Sequence, residues 1–180
     1  MAAVCVFCAS SRSLENRWLE LAREVGAALG ARGHQLVSGG GRVGMMGAVA
    51  EGARATKAHT LGVIPQSLVD LEIADTGADE LVNTDGMAAR KIVLLERANA
   101  FLVLPGGLGT LDELFEVWTT ATLGLHAKPI VLLDIEGFYQ GLVAWLHGLV
   151  GQGFVPSKGL AMVHVVRTVD EALDAVERFG

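Results

Sequence analysis

The chain has few cysteines and no run of basic residues. Its 180 residues include 2 cysteines, and 20 acidic side chains outnumber 14 lysines and arginines, which gives a formal charge of −6 at pH 7. A protein that coats nucleic acid needs a basic surface, so this charge disfavours nucleic acid as a partner. An anionic ligand would need a local positive pocket.

Long apolar runs are also lacking. The longest ones, such as residues 100–104 and 130–133, are far shorter than the roughly 18 residues that cross a bilayer. The first residues lack the basic and apolar regions of a signal peptide. We therefore expect no membrane span, a cytoplasmic location and reduced cysteines.

The two cysteines, Cys5 and Cys8, form a C-x-x-C pattern. A zinc site needs two further ligands at matching spacing, and thioredoxin-type cysteines open a helix. This pair instead lies in an apolar segment that is typical of a strand. We expect both thiols to be buried structural groups.

Apolar strands alternate with amphipathic helices along the chain. The periodicity predicts strands at residues 3–8, 34–38, 59–64, 100–104, 130–134 and 162–166, and helices around residues 18–29, 45–57, 86–98, 110–123, 138–150 and 169–179. Residues 65–80 show no clear period and are expected to form a ligand-covering loop. This pattern predicts one Rossmann-like α/β domain over residues 1–180, a doubly wound, mainly parallel sheet with helices on both faces.

The first glycine-rich turn is Gly39-Gly40-Gly41-Arg42-Val43-Gly44, between a predicted strand and a predicted helix. This context strengthens the G-x-G-x-x-G pattern and favours a phosphate at the helix N-terminus, although a tight turn without a ligand is the alternative. No carboxylate follows the next strand, so NAD is disfavoured. No Lys-Ser/Thr pair follows the glycines, so a P-loop NTPase is also disfavoured.

The second glycine-rich turn runs from Pro105 to Glu113 with the sequence PGGLGTLDE. One interpretation is a capping box, in which Thr110 and Glu113 satisfy each other's backbone N–H groups. The other is a phosphate held by the loop amides, with the Glu113 carboxylate facing a sugar. Upstream, Arg90 and Lys91 are either a solvated surface pair or ligands for the same anion.

These three segments together resemble the Lonely Guy family of cytokinin-activating phosphoribohydrolases, long mislabelled as lysine decarboxylases. The resemblance rests on residues 38–47, 87–91 and 105–113 and extends from about Cys5 to about Thr168. The chain departs from the family pattern at Ala88, Ala89 and residues 120–122.

By position, the resemblance implies catalytic roles for Arg90 and Glu113. It implies substrate contacts from the loop after the first strand, from the two glycine-rich turns and from three further positions, namely Ser11, Gly41, Glu72, Lys91, Gly107, Leu108, Gly109, Thr110 and Thr119. The implied reaction is hydrolysis of the N-glycosidic bond of a nucleoside 5′-monophosphate, preferably N6-modified AMP. It requires neither a metal nor a redox cofactor.

Two other functions stay open beside this hypothesis. A non-catalytic nucleotide-binding module could use the same loops, and a pyridoxal-phosphate-dependent lysine decarboxylase is disfavoured because no lysine is singled out for a Schiff base. With 51% apolar residues and a mean hydropathy of +0.44, the chain is expected to be at least a homodimer. The predicted helix over residues 111–123, carrying Leu114, Phe115, Val117 and Trp118, is the candidate interface.

Overall fold

The computed structural model describes residues 1–71 and 73–179. The strands are β1 (Ala3–Phe7), β2 (Gln35–Ser38), β3 (Thr60–Pro65), β4 (Glu80–Thr84), β5 (Ala100–Val103), β6 (Ile130–Leu133) and β7 (Val163–Val166). The helices are α1 (Asn16–Ala31), α2 (Gly44–Ala55), α3 (Gln66–Val69), α4 (Met87–Arg97), α5 (Leu108–Thr122), α6 (Gln140–Gly151), α7 (Ser157–Leu160) and α8 (Val169–Phe179). All six predicted strands and all six predicted helices are therefore confirmed, with small shifts at their ends.

Within the described residues, the sheet has seven strands in the order β4-β3-β2-β1-β5-β6-β7, and every pairing between them is parallel. From β1 the chain adds β2, β3 and β4 on one side of β1, and it then returns to add β5, β6 and β7 on the other side. The strand order therefore reverses between β1 and β5. Open α/β sheets bind ligands beyond the carboxyl ends of the strands at such a reversal. The predicted doubly wound fold is confirmed.

Each face of the sheet has its own core. Alternate side chains of β1 point to opposite faces, Val4 and Val6 to one and Cys5 and Phe7 to the other. The first face packs against α1, α2 and α8, and the second against α4, α5 and α6. Both cysteines are buried free thiols, as expected, and burial raises their pKa.

Sequence periodicity missed β4 and the short helices α3 and α7. β4 lies at the edge of the sheet, and its residues ELVNT are mostly half-exposed, so the segment lacks the apolar run of a buried strand. The expected loop of residues 65–80 instead includes α3 and returns to the first glycine-rich turn, where the Arg42 N–H donates to Ile73 O and the Asp75 N–H to Gly40 O. In the described part of the chain, no helix combines the length and apolar character that a bilayer crossing needs.

Candidate active site

A cavity of about 590 Å³ opens beyond the carboxyl ends of β1 and β5. The loop after β1, the glycine-rich turns after β2 and β5, and the starts of α4 and α5 all contribute to its wall. Its lining includes most of the predicted site residues, namely Ser11, Gly41, Arg90, Gly107, Leu108, Gly109, Thr110 and Glu113. The fold thus brings the predicted catalytic pair and the second glycine-rich turn together.

The second glycine-rich turn presents the N-terminus of α5 to this cavity. The helix begins at Leu108, with Gly107 in the capping position. Among the described residues, no hydrogen-bond partner is found for the backbone N–H groups of residues 107–110. Unpaired amides and the positive end of the helix dipole together favour an anion at this point.

The capping-box interpretation of this turn is wrong. Because α5 begins at Leu108, Thr110 is its third residue and Glu113 its sixth, so neither side chain can cap the helix. Thr110 is buried beneath the turn, and the Glu113 carboxylate instead approaches Arg90. Glu113 is therefore available for a role in the cavity.

Arg90 is the best-fixed cation of the cavity. It lies in the first turn of α4 and is only 5% exposed. Its Nε donates to Val63 O at 3.0 Å, and its Nη1 lies 3.1 Å from Glu113 Oε1. Gly39 makes room for the guanidinium, because a Cβ at that position would overlap Nη2.

The surroundings of Glu113 act on its pKa in opposite directions. Burial raises the pKa of this carboxyl and is the largest effect, whereas the nearby Arg90 guanidinium lowers it, and the balance lies above the ordinary value. The Cys8 thiol lines the same cavity, and burial raises its pKa. Glu113 is the buried carboxylate that could serve as a base or stabilise a cation here.

The first glycine-rich turn is less open to a phosphate than the second. Three of its N–H groups are bonded within the protein: Gly40 donates to Ser38 Oγ, Gly41 to Met46 Sδ and Arg42 to Ile73 O. The loop after β1 covers the start of α2, where Met45 donates to Ala9 O. Gly41 lines the cavity. A phosphate contact from this turn stays a prediction, and the paired amides of residues 40–42 favour the tight-turn alternative for those three residues.

Two predicted contact residues lie away from the cavity. The Lys91 ammonium binds Glu116 at 3.0 Å and Asp112 at 3.3 Å, and these bonds raise its pKa. Thr119 is exposed on α5. Nucleotide contacts from Lys91 and Thr119 stay predictions, and Glu72 lies outside the described residues.

Tyr139 is a supporting residue that sequence patterns did not single out. It is buried, and its hydroxyl donates to Leu104 O at 2.7 Å. Its own N–H donates to Asp134 Oδ1 at 2.6 Å. These bonds fix the backbone where β5 enters the second glycine-rich turn. It is the one tyrosine of the sequence, but composition alone does not show that this residue lies next to the second glycine-rich turn.

The site is that of a nucleotide-processing α/β protein, and comparison with known proteins specifies the family. Residues 46–176 match the family model described as "Possible lysine decarboxylase". The chain is 52% identical over 172 residues to the cytokinin riboside 5′-monophosphate phosphoribohydrolase of Mycobacterium tuberculosis, covering 96% of this chain and 91% of that protein. An Arabidopsis thaliana protein of the same name is 36% identical over 98% of this chain and 83% of its own length.

The chain therefore belongs to the Lonely Guy family of phosphoribohydrolases. Solved structures support the fold more broadly. The molybdenum cofactor binding protein from Rippkaea orientalis superposes with a TM-score of 0.75 at 20% identity, over 99% of this chain and 97% of that one. At that identity the likeness concerns the fold alone.

Proposed function

We propose that the protein hydrolyses the N-glycosidic bond of nucleoside 5′-monophosphates, preferably N6-modified AMP, and releases the free base and ribose 5-phosphate. The observation that supports this most is the buried Arg90–Glu113 pair beside the unpaired amides of α5 in a single cavity. The names of the family relatives agree with this reaction.

One end of the cavity binds the phosphate of the substrate and the other end carries the reaction at the sugar. The amides of residues 107–110 hold the 5′-phosphate, which places the ribose against Glu113. As the glycosidic C–N bond breaks, water supplies a hydroxyl group to the sugar carbon and a proton to the departing base. The ionised Glu113 stabilises the cationic sugar or takes the proton from that water. Arg90 keeps Glu113 ionised and stabilises the negative charge that develops on the departing base.

The remaining wall of the cavity is suited to an apolar group. Met46, Ile64, Leu68, Ile73 and Met87 line it opposite the polar turn. A hydrocarbon substituent on N6 of adenine would bury apolar area against these side chains, at about 25 cal/mol per Å². This wall supports a preference for N6-modified AMP over AMP itself.

Lysine decarboxylation, which the description of the family model suggests, does not fit the residues present. That reaction needs pyridoxal phosphate held as a Schiff base by a lysine. The described lining of the cavity contains no lysine, and Lys91 is bound to Glu116 and Asp112 on the outer side of α5.

A direct assay separates the enzyme from a non-catalytic nucleotide-binding module. The purified protein is incubated with AMP and with N6-isopentenyl AMP, and free base and ribose 5-phosphate are measured by chromatography. We expect stoichiometric release of both products, with faster release from the modified nucleotide. Binding without product release would favour the module instead.

We also propose that the chain forms a homodimer and that residues 1–180 are a single cytoplasmic domain. Three of the four α5 side chains named for the interface, Leu114, Val117 and Trp118, are buried in the chain's own core and are unavailable. Large apolar side chains remain exposed on and beside α4 and α5, namely Met87, Ile92, Leu108, Leu123 and Leu125. Light scattering should give about twice the monomer mass, and a mass near 18.9 kDa would contradict the dimer.

A further inference from the structure

A second cavity, also of about 590 Å³, lies beside the catalytic one between α1 and α2. The two cavities share three lining residues, Ser11, Arg12 and Val43. The rest of the second cavity is lined by Leu14, Leu19, Arg23, Arg42, Gly44, Gly47, Ala48, Glu51, Arg54 and Asp75. We call it the arginine cavity.

The arginine cavity concentrates positive charge. Among the described residues, four arginines line it against two carboxylates, which leaves a formal charge of +2 in a chain whose total is −6. Such a local excess on an acidic protein attracts anions to one place. The catalytic mechanism described above uses none of these arginines.

Two of the arginines are held in place by the carboxylates. Arg23 Nε lies 2.8 Å from Glu51 Oε2, which links α1 to α2. Arg54 Nη1 lies 2.6 Å from Asp75 Oδ2, which links α2 to the loop before β4. The two ion pairs form part of the cavity wall. Within each pair, the arginine and the carboxylate neutralise each other.

The other two arginines carry the excess charge. Within residues 1–71 and 73–179, neither Arg12 nor Arg42 forms an ion pair, and both side chains are exposed. On the α2 side of the cavity, Gly47 and Ala48 have small side chains or none and leave space for a ligand. A ligand can therefore enter between two unneutralised guanidinium groups.

These features define the chemistry of the ligand. Guanidinium groups match phosphate oxygens with paired N–H donors, and a phosphate dianion balances two of them. At the N-terminus of α2, the Met45 N–H is bonded to Ala9 O of the loop after β1. The recognition would come from the arginine side chains.

We propose that the arginine cavity binds a phosphate group beside the substrate. This phosphate has two possible sources. It is either a further phosphate of the nucleotide in the catalytic cavity, reached past Arg12 on the shared wall, or a separate phosphate-bearing anion bound together with the nucleoside monophosphate.

The test is calorimetry on the full chain with two probes. Pyrophosphate is titrated into Glu113→Gln protein, free and saturated with AMP, and ADP and AMP are titrated separately into the same protein. Each titration is repeated with Arg42→Gln added, because Arg42 lines only the arginine cavity. Arg167→Gln, at an exposed arginine far from both glycine-rich turns, is the matched control for lost charge.

A separate anion is indicated if pyrophosphate binds the AMP-saturated protein and Arg42→Gln weakens this binding on the order of tenfold or more, while Arg167→Gln does not. The nucleotide's own second phosphate is indicated if ADP binds more tightly than AMP and Arg42→Gln removes that advantage. The proposal is overturned if Arg42→Gln changes neither binding, or if pyrophosphate binds only in competition with AMP and ADP gains nothing. Pyrophosphate titrations without AMP keep this result independent of the proposed hydrolysis.

Discussion

Replacing Gly39 by alanine tests the placement of Arg90 without changing any residue that we assign to the reaction. The added Cβ would overlap Arg90 Nη2, approach Arg90 Cζ to 3.0 Å and lie 3.1 Å from Met46 Sδ. Gly39 has no left-handed backbone conformation, so alanine brings no backbone strain. The tip of a flexible side chain yields more easily than backbone, so the guanidinium is the group that moves.

That movement breaks the bonds that fix Arg90. Its Nε loses Val63 O and its Nη1 loses Glu113, and both side chains are largely buried. Loss of one positioned electrostatic group lowers kcat by about 10²–10³-fold. Complete rupture of a buried ion pair would cost about 3–5 kcal/mol, but a displaced arginine keeps part of its interaction. We expect the free energy of unfolding to fall by about 1–3 kcal/mol.

The assay compares kcat for N6-isopentenyl AMP and urea unfolding of Gly39→Ala with those of Gly148→Ala. Gly148 lies on α6 with open space where a Cβ would go, so alanine there keeps full activity and adds up to about 1 kcal/mol of helix stability. Wild-type kcat in a folded Gly39→Ala protein would refute the reasoning, because it would show that the precise position of Arg90 is unimportant.

Three further predictions concern the phosphate, Tyr139 and pH. Adenosine should be cleaved with a kcat/KM on the order of a hundredfold below that of AMP, because it leaves the α5 amides without an anion; comparable values would show that the phosphate site is misplaced. Tyr139→Phe should raise KM more than it lowers kcat, and cost about 1–3 kcal/mol of stability, since Leu104 O loses a buried partner; unchanged KM and stability would contradict its positioning role. The acid limb of kcat/KM should lie above the usual range of a glutamate, because burial raises the pKa of Glu113 and the ionised form is the active one. Arg90→Met, which removes the charge that lowers this pKa, should move the limb to still higher pH, and a limb that stays in place would show that another group titrates.

The order of strands and helices was predictable, because buried parallel strands are apolar on both faces and amphipathic helices have a clear period. β4 was not, because an edge strand with Glu80, Asn83 and Thr84 has no continuous apolar run. Its pairing with β3 in the folded chain defines it as a strand.

The two glycine-rich turns show what a local pattern cannot determine. Both patterns predicted amides for a phosphate, but the amides of residues 107–110 are unpaired among the described residues, whereas three amides of the first turn are bonded within the protein. The other turn donates to Ser38, to Met46 and to Ile73, which is 31 residues from Arg42 in the chain. A partner as distant as Ile73 is set by the tertiary structure and has no signature in the motif.

Arg90 and Lys91 illustrate the same limit on one helix. Neighbouring side chains of a helix point about 100° apart, so two adjacent residues do not normally face the same small site. Arg90 turns into the cavity towards Glu113, and Lys91 turns outward to Asp112 and Glu116. The resemblance to the family identified Arg90, and the structure explains why it is the buried member of the pair.

The most direct test of the proposed reaction is Glu113→Gln, which keeps the shape of the side chain and removes its charge. The variant should fold, bind AMP with an affinity close to that of the wild type and lose at least about a hundredfold in the rate of ribose 5-phosphate release, because catalysis by a positioned carboxylate typically contributes about 10²–10⁴-fold. Product release at the wild-type rate from a folded Glu113→Gln protein would contradict the assignment of Glu113 to the chemical step.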